Sequence, residues 1–218
     1  MIVNMWSASE TSVWKTGCIR INRIGDVLGR GAVVYAVLAA MFLPIAAQPA
    51  DGAHAEAAAR SEHEVKAAFL FNFAKFIEWP DDVFEKTDSP IVVGILGDES
   101  FARVVERTCA EKEVHGRPFS VKRFDKADQI GLCHALFISG SEKKRLTRVF
   151  ATLGDSAVLT VGEMPGFAHE GGMINFTMKK NKVHFEINES AARRAGLKIS
   201  SKLLKLATIV EENGNGSS

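Results

Sequence analysis

The sequence predicts an α/β domain of three layers, in which helices flank a mostly parallel sheet and the chain ends in an antiparallel hairpin. Three short apolar runs, at residues 91–96, 135–139 and 157–161, have the length and continuity of buried strands. Helical patterns separate these runs, and such strand–helix alternation requires parallel crossovers. Beyond residue 172 the residues alternate strictly on both sides of a polar turn, which is typical of a hairpin. We therefore predict a single domain over residues 62–210.

The composition is that of an ordinary globular protein. Of the 218 residues, 46% are hydrophobic and 24% are charged, which excludes collagen-like, disordered and multi-span membrane classes. Lys and Arg number 27 against 26 Asp and Glu, so that the formal net charge is +1. This balance provides no overall positive field, and we expect no nucleic-acid partner.

The first 55 residues have the organisation of a secretory signal peptide. A basic region precedes an uncharged run at residues 31–50, and Ala53-His54-Ala55 has the form that a signal peptidase cleaves. A membrane anchor is the alternative, but Pro44 interrupts the apolar run before the ~20 residues that a spanning helix needs. We expect residues 1–55 to be removed, leaving a mature chain with equal numbers of acidic and basic residues in the periplasm, not spanning the membrane.

The mature chain is predicted to begin with a flexible lead-in at residues 56–61 and a helix over residues 62–79. Apolar residues in this helix recur at spacings of three and four. Trp79-Pro80 ends the helix, because a residue that precedes proline avoids the α region. A loop at residues 81–90 then leads to the first strand.

Capping residues and turns delimit the later elements. Asp98 is placed to cap a helix, and residues 118–124 alternate as an edge strand does. Asn188 and Ser200 are placed to cap two short helices after the hairpin. The polar residues 211–218 are predicted to be disordered.

The sequence contains no obvious group of reactive side chains. The six histidines show no metal-ligand spacing, and no cysteines form a C-x-x-C pair. The turn Gly94-Ile-Leu-Gly97-Asp98 lacks the third glycine of a dinucleotide fingerprint, and Ser139-Gly-Ser141 lacks the glycines of a nucleophile elbow. We therefore expect no catalytic residue, no metal and no cofactor. An enzyme that uses His134 or Ser141 is the alternative.

Two cysteines, Cys109 and Cys133, follow the predicted signal peptide. An even pair in an oxidising compartment favours a disulfide, which would contribute ~3 kcal/mol for a loop of this length in the chain-entropy model. Two buried free thiols are the alternative.

Several blocks of the mature chain resemble the YfiR-like family of exported proteins. In order, these blocks are Val65-Lys-Ala-Ala-Phe-Leu-Phe-Asn-Phe-Ala-Lys-Phe-Ile-Glu-Trp-Pro80, Gly94–Asp98, Gly116-Arg-Pro118, Cys133–Ile138, Leu159–Gly162, Phe167–Gly172, Val183–Asn188 and Ala195–Ala207. The resemblance implies a periplasmic regulator without catalysis, which binds the periplasmic sensor part of an inner-membrane diguanylate cyclase and holds it inactive. Cyclic-di-GMP synthesis and biofilm formation are thereby repressed. The resemblance also implies that the domain can dimerise and can carry disulfides, with Cys133 at a family cysteine position.

We therefore expect a domain that acts by binding. A neutral protein must obtain its affinity from apolar anchors and matched local charges, and the candidate partner-binding residues are Trp79, Arg117 and Phe167. The alternative function is a small-molecule sensor that passes ligand occupancy to a membrane partner. Because open α/β sheets bind ligands at the carboxyl ends of their strands, the candidate cleft residues are Gly97, Ser139 and Gly162, with Asn72 and Lys75 as further candidates.

Overall fold

The computed structural model describes residues 51–212, with side chains from residue 56 onward. The predicted signal peptide lies outside the described residues as far as residue 50, and so do residues 213–218 of the predicted tail. Helix α1 spans Asp51–Phe76, so that the lead-in predicted to be flexible at residues 56–61 is helical. This correction has a simple cause, because the segment is rich in alanine, the residue with the highest helix propensity.

Four further helices and ten strands follow α1 in the described residues. The helices are α2 Glu99–Cys109, α3 Leu146–Leu153, α4 Glu189–Arg194 and α5 Ser201–Leu204. The strands are β1 Ile77–Glu78, β2 Ile91–Leu96, β3 Glu113–Val114, β4 Arg117–Phe124, β5 Ala135–Ile138, β6 Leu159–Gly162, β7 Ile174–Lys179, β8 Lys182–Ile187, β9 Lys198–Ile199 and β10 Thr208–Ile209. Short 3-10 segments lie at Asp81–Val83, Ala127–Gln129 and Gly140–Arg145.

The main sheet has eight strands in the order β10-β8-β7-β6-β5-β2-β4-β3. The five adjacent strands from β7 to β4 are parallel, whereas β8 returns antiparallel to β7 as a hairpin. A separate antiparallel pair joins β1 to β9. The predicted fold class is therefore confirmed, with a mostly parallel sheet and a C-terminal antiparallel hairpin.

Two apolar cores lie on the two faces of the sheet. Alternate residues of β2 divide between them: Val93 belongs to the core beneath α1 and α2, and Val92 to the core beneath α3. This division follows from strand geometry, because successive side chains point to opposite faces. A strand buried on both faces must be apolar throughout, which explains the continuous runs in the sequence.

The predicted capping residues occupy helix N-termini. The Asp98 carboxylate accepts a 2.8 Å hydrogen bond from the Phe101 amide. Asn188 accepts one of 2.9 Å from the Ala191 amide, and the Ser200 hydroxyl accepts one of 3.3 Å from its helix. Each cap satisfies a backbone donor that the helix itself leaves unpaired, so these three predictions are confirmed.

Cys109 and Cys133 are free and buried. Cys109 packs in the core beneath α1 and α2, whereas Cys133 packs in the core on the opposite face of the sheet. The predicted disulfide is therefore not formed in this structure, because the sheet lies between the two cores. Burial raises the pKa of each thiol to about 11, which leaves little reactive thiolate at neutral pH.

Among the residues described, no helix combines the length and the apolar character needed to cross a membrane.

Candidate functional site

A groove of about 710 Å³ opens at the amino edge of the sheet, where β2 and β4 begin. Two of the three predicted partner-binding residues, Trp79 and Arg117, line it. The other lining residues are Ile77, Glu78, Pro80, Asp81, Phe84, Ile91, His115, Gly196 and Lys198. The β1–β9 pair forms one wall, since Glu78 lies opposite Lys198 in its register. Two distant parts of the sequence therefore build one surface.

A stack of three side chains forms the floor of this groove. The Arg117 guanidinium lies 3.8 Å from the centre of the Phe84 ring, in cation–π contact. The same ring stacks on the His134 imidazole, with centres 4.5 Å apart and planes 13° from parallel. Arg117 also donates hydrogen bonds of 2.8 Å and 3.0 Å to the carbonyls of Lys86 and Ser89. One arginine thus holds both the aromatic ring and the backbone of the loop.

Trp79 is anchored at one end and half-buried. Its indole Nε1 donates a 3.0 Å hydrogen bond to the carbonyl of His134, and its ring meets Phe84 edge-on at 6.4 Å. The polar end of the indole is therefore satisfied within the protein, while part of the ring stays accessible at the groove. A rigid aromatic surface of this kind suits a binding anchor, because little side-chain entropy is lost when a partner contacts it.

His134 is buried beneath the loop and neutral. Its Nδ1 accepts a 2.9 Å hydrogen bond from the Val92 amide, so the ring proton resides on Nε2. Within the described chain Nε2 is buried and has no hydrogen-bond partner. Burial lowers the pKa of His134 from its ordinary value of 6.5; the Val83 backbone opposes this, whereas the charges of Arg117 and Lys122 add to the lowering.

The rim of the groove carries both signs of charge. Glu78 and Lys198 are exposed on the β1–β9 wall, and Asp81 is exposed on the loop that follows it. A mixed rim around aromatic side chains favours recognition of a complementary surface over capture of a single ion.

Phe167 does not belong to this surface. It is 0% exposed and lies in the core beneath α3. Its ring packs directly against Gly162 and Gly172, where a Cβ atom would come within 2.6 Å and 2.2 Å of it. The prediction that Phe167 contacts a partner is wrong, because this aromatic residue fills the space that two glycines leave open.

The predicted ligand-cleft residues are only partly brought together. The register aligns the ends of β2, β5 and β6, so that Gly97, Ser139 and Gly162 share the carboxyl edge. Ser139 and Gly162 are buried, however, and Phe167 covers Gly162. The predicted cleft is therefore filled at this point.

Asn72 and Lys75 lie apart from that edge, on the exposed surface of α1. The Lys75 ammonium lies 4.4 Å from the centre of the Phe71 ring, in cation–π contact. These two residues do not join the three others in one cleft.

A second cleft, of about 730 Å³, was missed by the sequence analysis. It lies between the middle of α1, the loop after β6 and the β7–β8 hairpin, around the buried Lys66. The Lys66 ammonium contacts Glu62 and lies 2.9 Å from the Glu163 carboxylate. Burial alone would lower the pKa of Lys66, but hydrogen bonds and charge interactions with the two carboxylates outweigh it, and the pKa is raised above 10.5. The spacing of Glu62 and Lys66 was a usable signal, whereas Glu163 lies too far along the sequence to be paired by pattern.

Catalytic chemistry has little support in this geometry. Residues 51–212 contain no group of three or more His, Cys, Asp or Glu side chains arranged to hold a metal ion. The Nδ1 atom of His134 already accepts a hydrogen bond from the Val92 amide, and the Ser141 hydroxyl donates one of 3.3 Å to the Gly97 carbonyl. Neither side chain forms a nucleophile–base pair with the other in the hydrogen bonds that the structure describes.

Comparison with known proteins identifies the family. The sequence model described as YfiR/HmsC-like matches residues 63–208, which is most of the described chain. The chain belongs to the YfiR/HmsC-like family. YfiR-like proteins are periplasmic, non-catalytic regulators of diguanylate cyclase signalling, and the family implies a membrane sensor as partner.

One solved structure that resembles this YfiR-like chain is titled as an ABC domain in complex with L-Trp from Streptococcus pneumonia. The two share 14% identity over 55% of each chain, with a TM-score of 0.43. The chain thus spans about half the length of that structure, and this distant likeness carries no argument about function.

Proposed function

We propose that this domain binds the periplasmic sensor part of an inner-membrane diguanylate cyclase and holds the enzyme inactive, lowering cyclic-di-GMP. The observation that carries the proposal is the groove in which Trp79, Phe84 and Arg117 meet, in a chain of a family that regulates such signalling. The residues from this surface that contact the partner are Trp79 and Arg117, with the charged rim around them.

The physical basis is differential affinity. A regulator shifts a two-state partner only by binding one state better than the other, and a shift from mostly active to mostly inactive requires several kcal/mol. Tryptophan and arginine are the residues that most often supply such energy at interfaces. The rim charges fix the orientation of the bound partner and discriminate against other partners; they belong to Glu78, Asp81 and Lys198.

A cellular experiment tests this proposal directly. Deleting the gene should raise cyclic-di-GMP, and the full chain should restore the low level. Trp79→Ala and Lys198→Glu should fail to restore it, whereas the control Lys202→Glu, also exposed but outside the groove lining, should succeed. An unchanged cyclic-di-GMP level after deletion would overturn the proposal. Circular dichroism of each purified variant checks that folding is intact.

Export and self-association are part of the same proposal. Residues 1–55 act as a cleaved signal peptide that delivers the chain to the periplasm, which cell fractionation followed by N-terminal sequencing tests. A homodimer is the expected state of the free regulator, and light scattering measures it. A cytosolic, uncleaved product would contradict the export step.

The second cleft favours a second candidate function, a sensor for a small molecule. Its buried lysine is held by two carboxylates, and the buried Asn175 lies in the same wall. A thermal-shift screen of the purified chain, repeated with Lys66→Met, tests this candidate. A metabolite that raises the melting temperature of the wild type but not of the variant would support the sensor, and a flat screen would count against it.

A further inference from the structure

The loop that carries Phe84 of the groove floor is attached to the domain by few contacts. None of the residues 79–90 is buried, and Asp81, Asp82 and residues 85–88 are exposed. Its attachments to the rest of the domain include the Phe84–His134 stack, the bonds from Arg117 and the bond from the Trp79 indole to the His134 carbonyl. Segments with little buried apolar surface are those that open locally at low free-energy cost.

We propose that residues 80–90, which carry Phe84 of the groove floor, form an acid-released latch that is held against the sheet by the neutral ring of His134 and released when that ring is protonated. The inference rests on the proposed function in one respect, since the groove is the proposed partner site. It adds a control of that site by the pH of the compartment in which the family resides.

The contacts of His134 explain why protonation would open the latch. The Nδ1 atom, which accepts from the Val92 amide at 2.9 Å, is the only nitrogen that can take up a proton. A proton placed there would replace an attraction by a clash of two N–H groups. The new charge would also be buried, and although the Val83 backbone favours the charged ring, burial is the larger effect and lowers the pKa.

The charged surroundings act in the same direction. Arg117 and Lys122, both on β4, oppose a positive charge on the ring. The neighbouring part of β2, at residues 91–93, is apolar. The loop carries the carboxylates Asp81, Asp82, Glu85 and Asp88 and the ammonium of Lys86, but none of these groups forms an ion pair with His134 in residues 51–212. Glu78, His115 and Lys198 line the groove on the outer side of Phe84.

The direction and size of the response follow from linkage. In the open state His134 is solvated and titrates near its ordinary pKa of 6.5, whereas burial in the closed state lowers the pKa. Above pH 6.5 both states are neutral, and pH has no effect. Below it the open state binds the proton more tightly, so the ratio of open to closed molecules rises by up to about tenfold per pH unit, until the closed-state pKa is reached.

Trp79 is a built-in reporter of the latch. The chain has three tryptophans, and Trp6→Phe with Trp14→Phe in the full chain leaves Trp79 alone. We expect its emission to shift to the red, and its quenching by acrylamide to increase, as pH falls from 7.5 to 5.0. The Phe84 ring and the His134 Cε1–H should shift in NMR spectra with the same midpoint, below pH 6.5.

Two variants separate the latch from other titrations. His134→Asn keeps a side-chain acceptor for the Val92 amide but cannot be protonated, so the fluorescence change should disappear. His115→Asn removes the neighbouring histidine at a position of φ 54°, a conformation that asparagine tolerates, and should leave the change intact. A wild-type signal that stays constant while circular dichroism shows a folded chain would overturn the proposal. So would a signal that persists in His134→Asn.

None of these measurements uses the partner, so they can fail while the proposed function stands. Binding of the purified sensor part at pH 7.5 and pH 5.5 is the separate test of the link between the two. Partner binding at both pH values with equal affinity, alongside a working latch, would refute control of the groove by the latch.

Discussion

Replacing Arg117 by lysine should loosen the groove without unfolding the domain. Lysine keeps the positive charge, but its single ammonium cannot reproduce the planar guanidinium that stacks on Phe84 and bonds the carbonyls of Lys86 and Ser89. A charged hydrogen bond contributes about 1.5–3 kcal/mol when buried, and an exposed cation–π contact about 0.5–1. Since Arg117 is half-buried, we discount these values and expect a net loss of about 1–2 kcal/mol in loop closure.

The expected consequence is a roughly 5- to 30-fold increase in the opening equilibrium of residues 80–90. Native-state hydrogen exchange measures it at the Ser89 amide, which bonds the Lys86 carbonyl at 3.2 Å within this loop. The matched control is Arg123→Lys on the same strand, because Arg123 is exposed and its ion pairs with Glu99 and Glu106 are worth little. Equal exchange at Ser89 in the wild type and in both variants would refute this account of the loop.

Three further predictions concern the rest of the fold. With Cys18→Ser in the full chain, Cys109 and Cys133 should react with a thiol reagent at pH 8 about 100-fold more slowly in the folded protein than in urea. The reason is that burial raises the pKa of each thiol from 9.0 to about 11. A single disulfide-bonded species on non-reducing gels would contradict the free thiols. Gly162→Ala should cost about 1–3 kcal/mol in urea unfolding, because its Cβ would overlap a packed phenyl ring, whereas Gly131→Ala, with open space around it, should change little. Lys66→Met should lower the free energy of unfolding by about 1–3 kcal/mol at pH 7, because it leaves two carboxylates without their cation. Since the pKa of Lys66 is raised in the folded state, its stabilisation is present below pH 10.5 and is lost above that pH. Urea unfolding should therefore show a smaller difference between variant and wild type above pH 10.5.

The strands and caps could be predicted because their causes are local. A run such as residues 91–96 is apolar since both of its faces are buried, and a side chain such as Asp98 caps a helix a few residues away. The helix at residues 56–61 was not predicted, because hydrophobic periodicity is uninformative where alanine dominates. In such a segment the high helix propensity of alanine determines the structure.

The groove could be predicted only in part, because it is built from contacts that are remote in sequence. Trp79 and Arg117 were visible as an aromatic and a basic residue beside turns, yet their common partner, Phe84, gave no signal in the loop. The sequence offers His134 only as a catalytic residue of the alternative enzyme, whereas the hydrogen bond that positions its ring comes from the Val92 amide, 42 residues away. Phe167 was misplaced because an aromatic residue in a loop looks exposed until the glycines beneath it are known.

The position of the groove bears on the choice between binding and chemistry. In open α/β sheets small molecules and phosphates usually bind at the carboxyl edge, where strand ends and helix N-termini converge. Here Phe167 fills that edge at Gly162, whereas Gly97 lines an open cleft of about 540 Å³ and the cleft around Lys66 lies beside the end of β6. The accessible aromatic surface lies instead at the amino edge, where the β1–β9 pair and an unburied loop extend beyond the sheet. The clefts at the carboxyl edge are lined mainly by charged and polar side chains, whereas tryptophan, phenylalanine and arginine meet at the amino edge, and this difference supports our proposal that a macromolecular partner binds there.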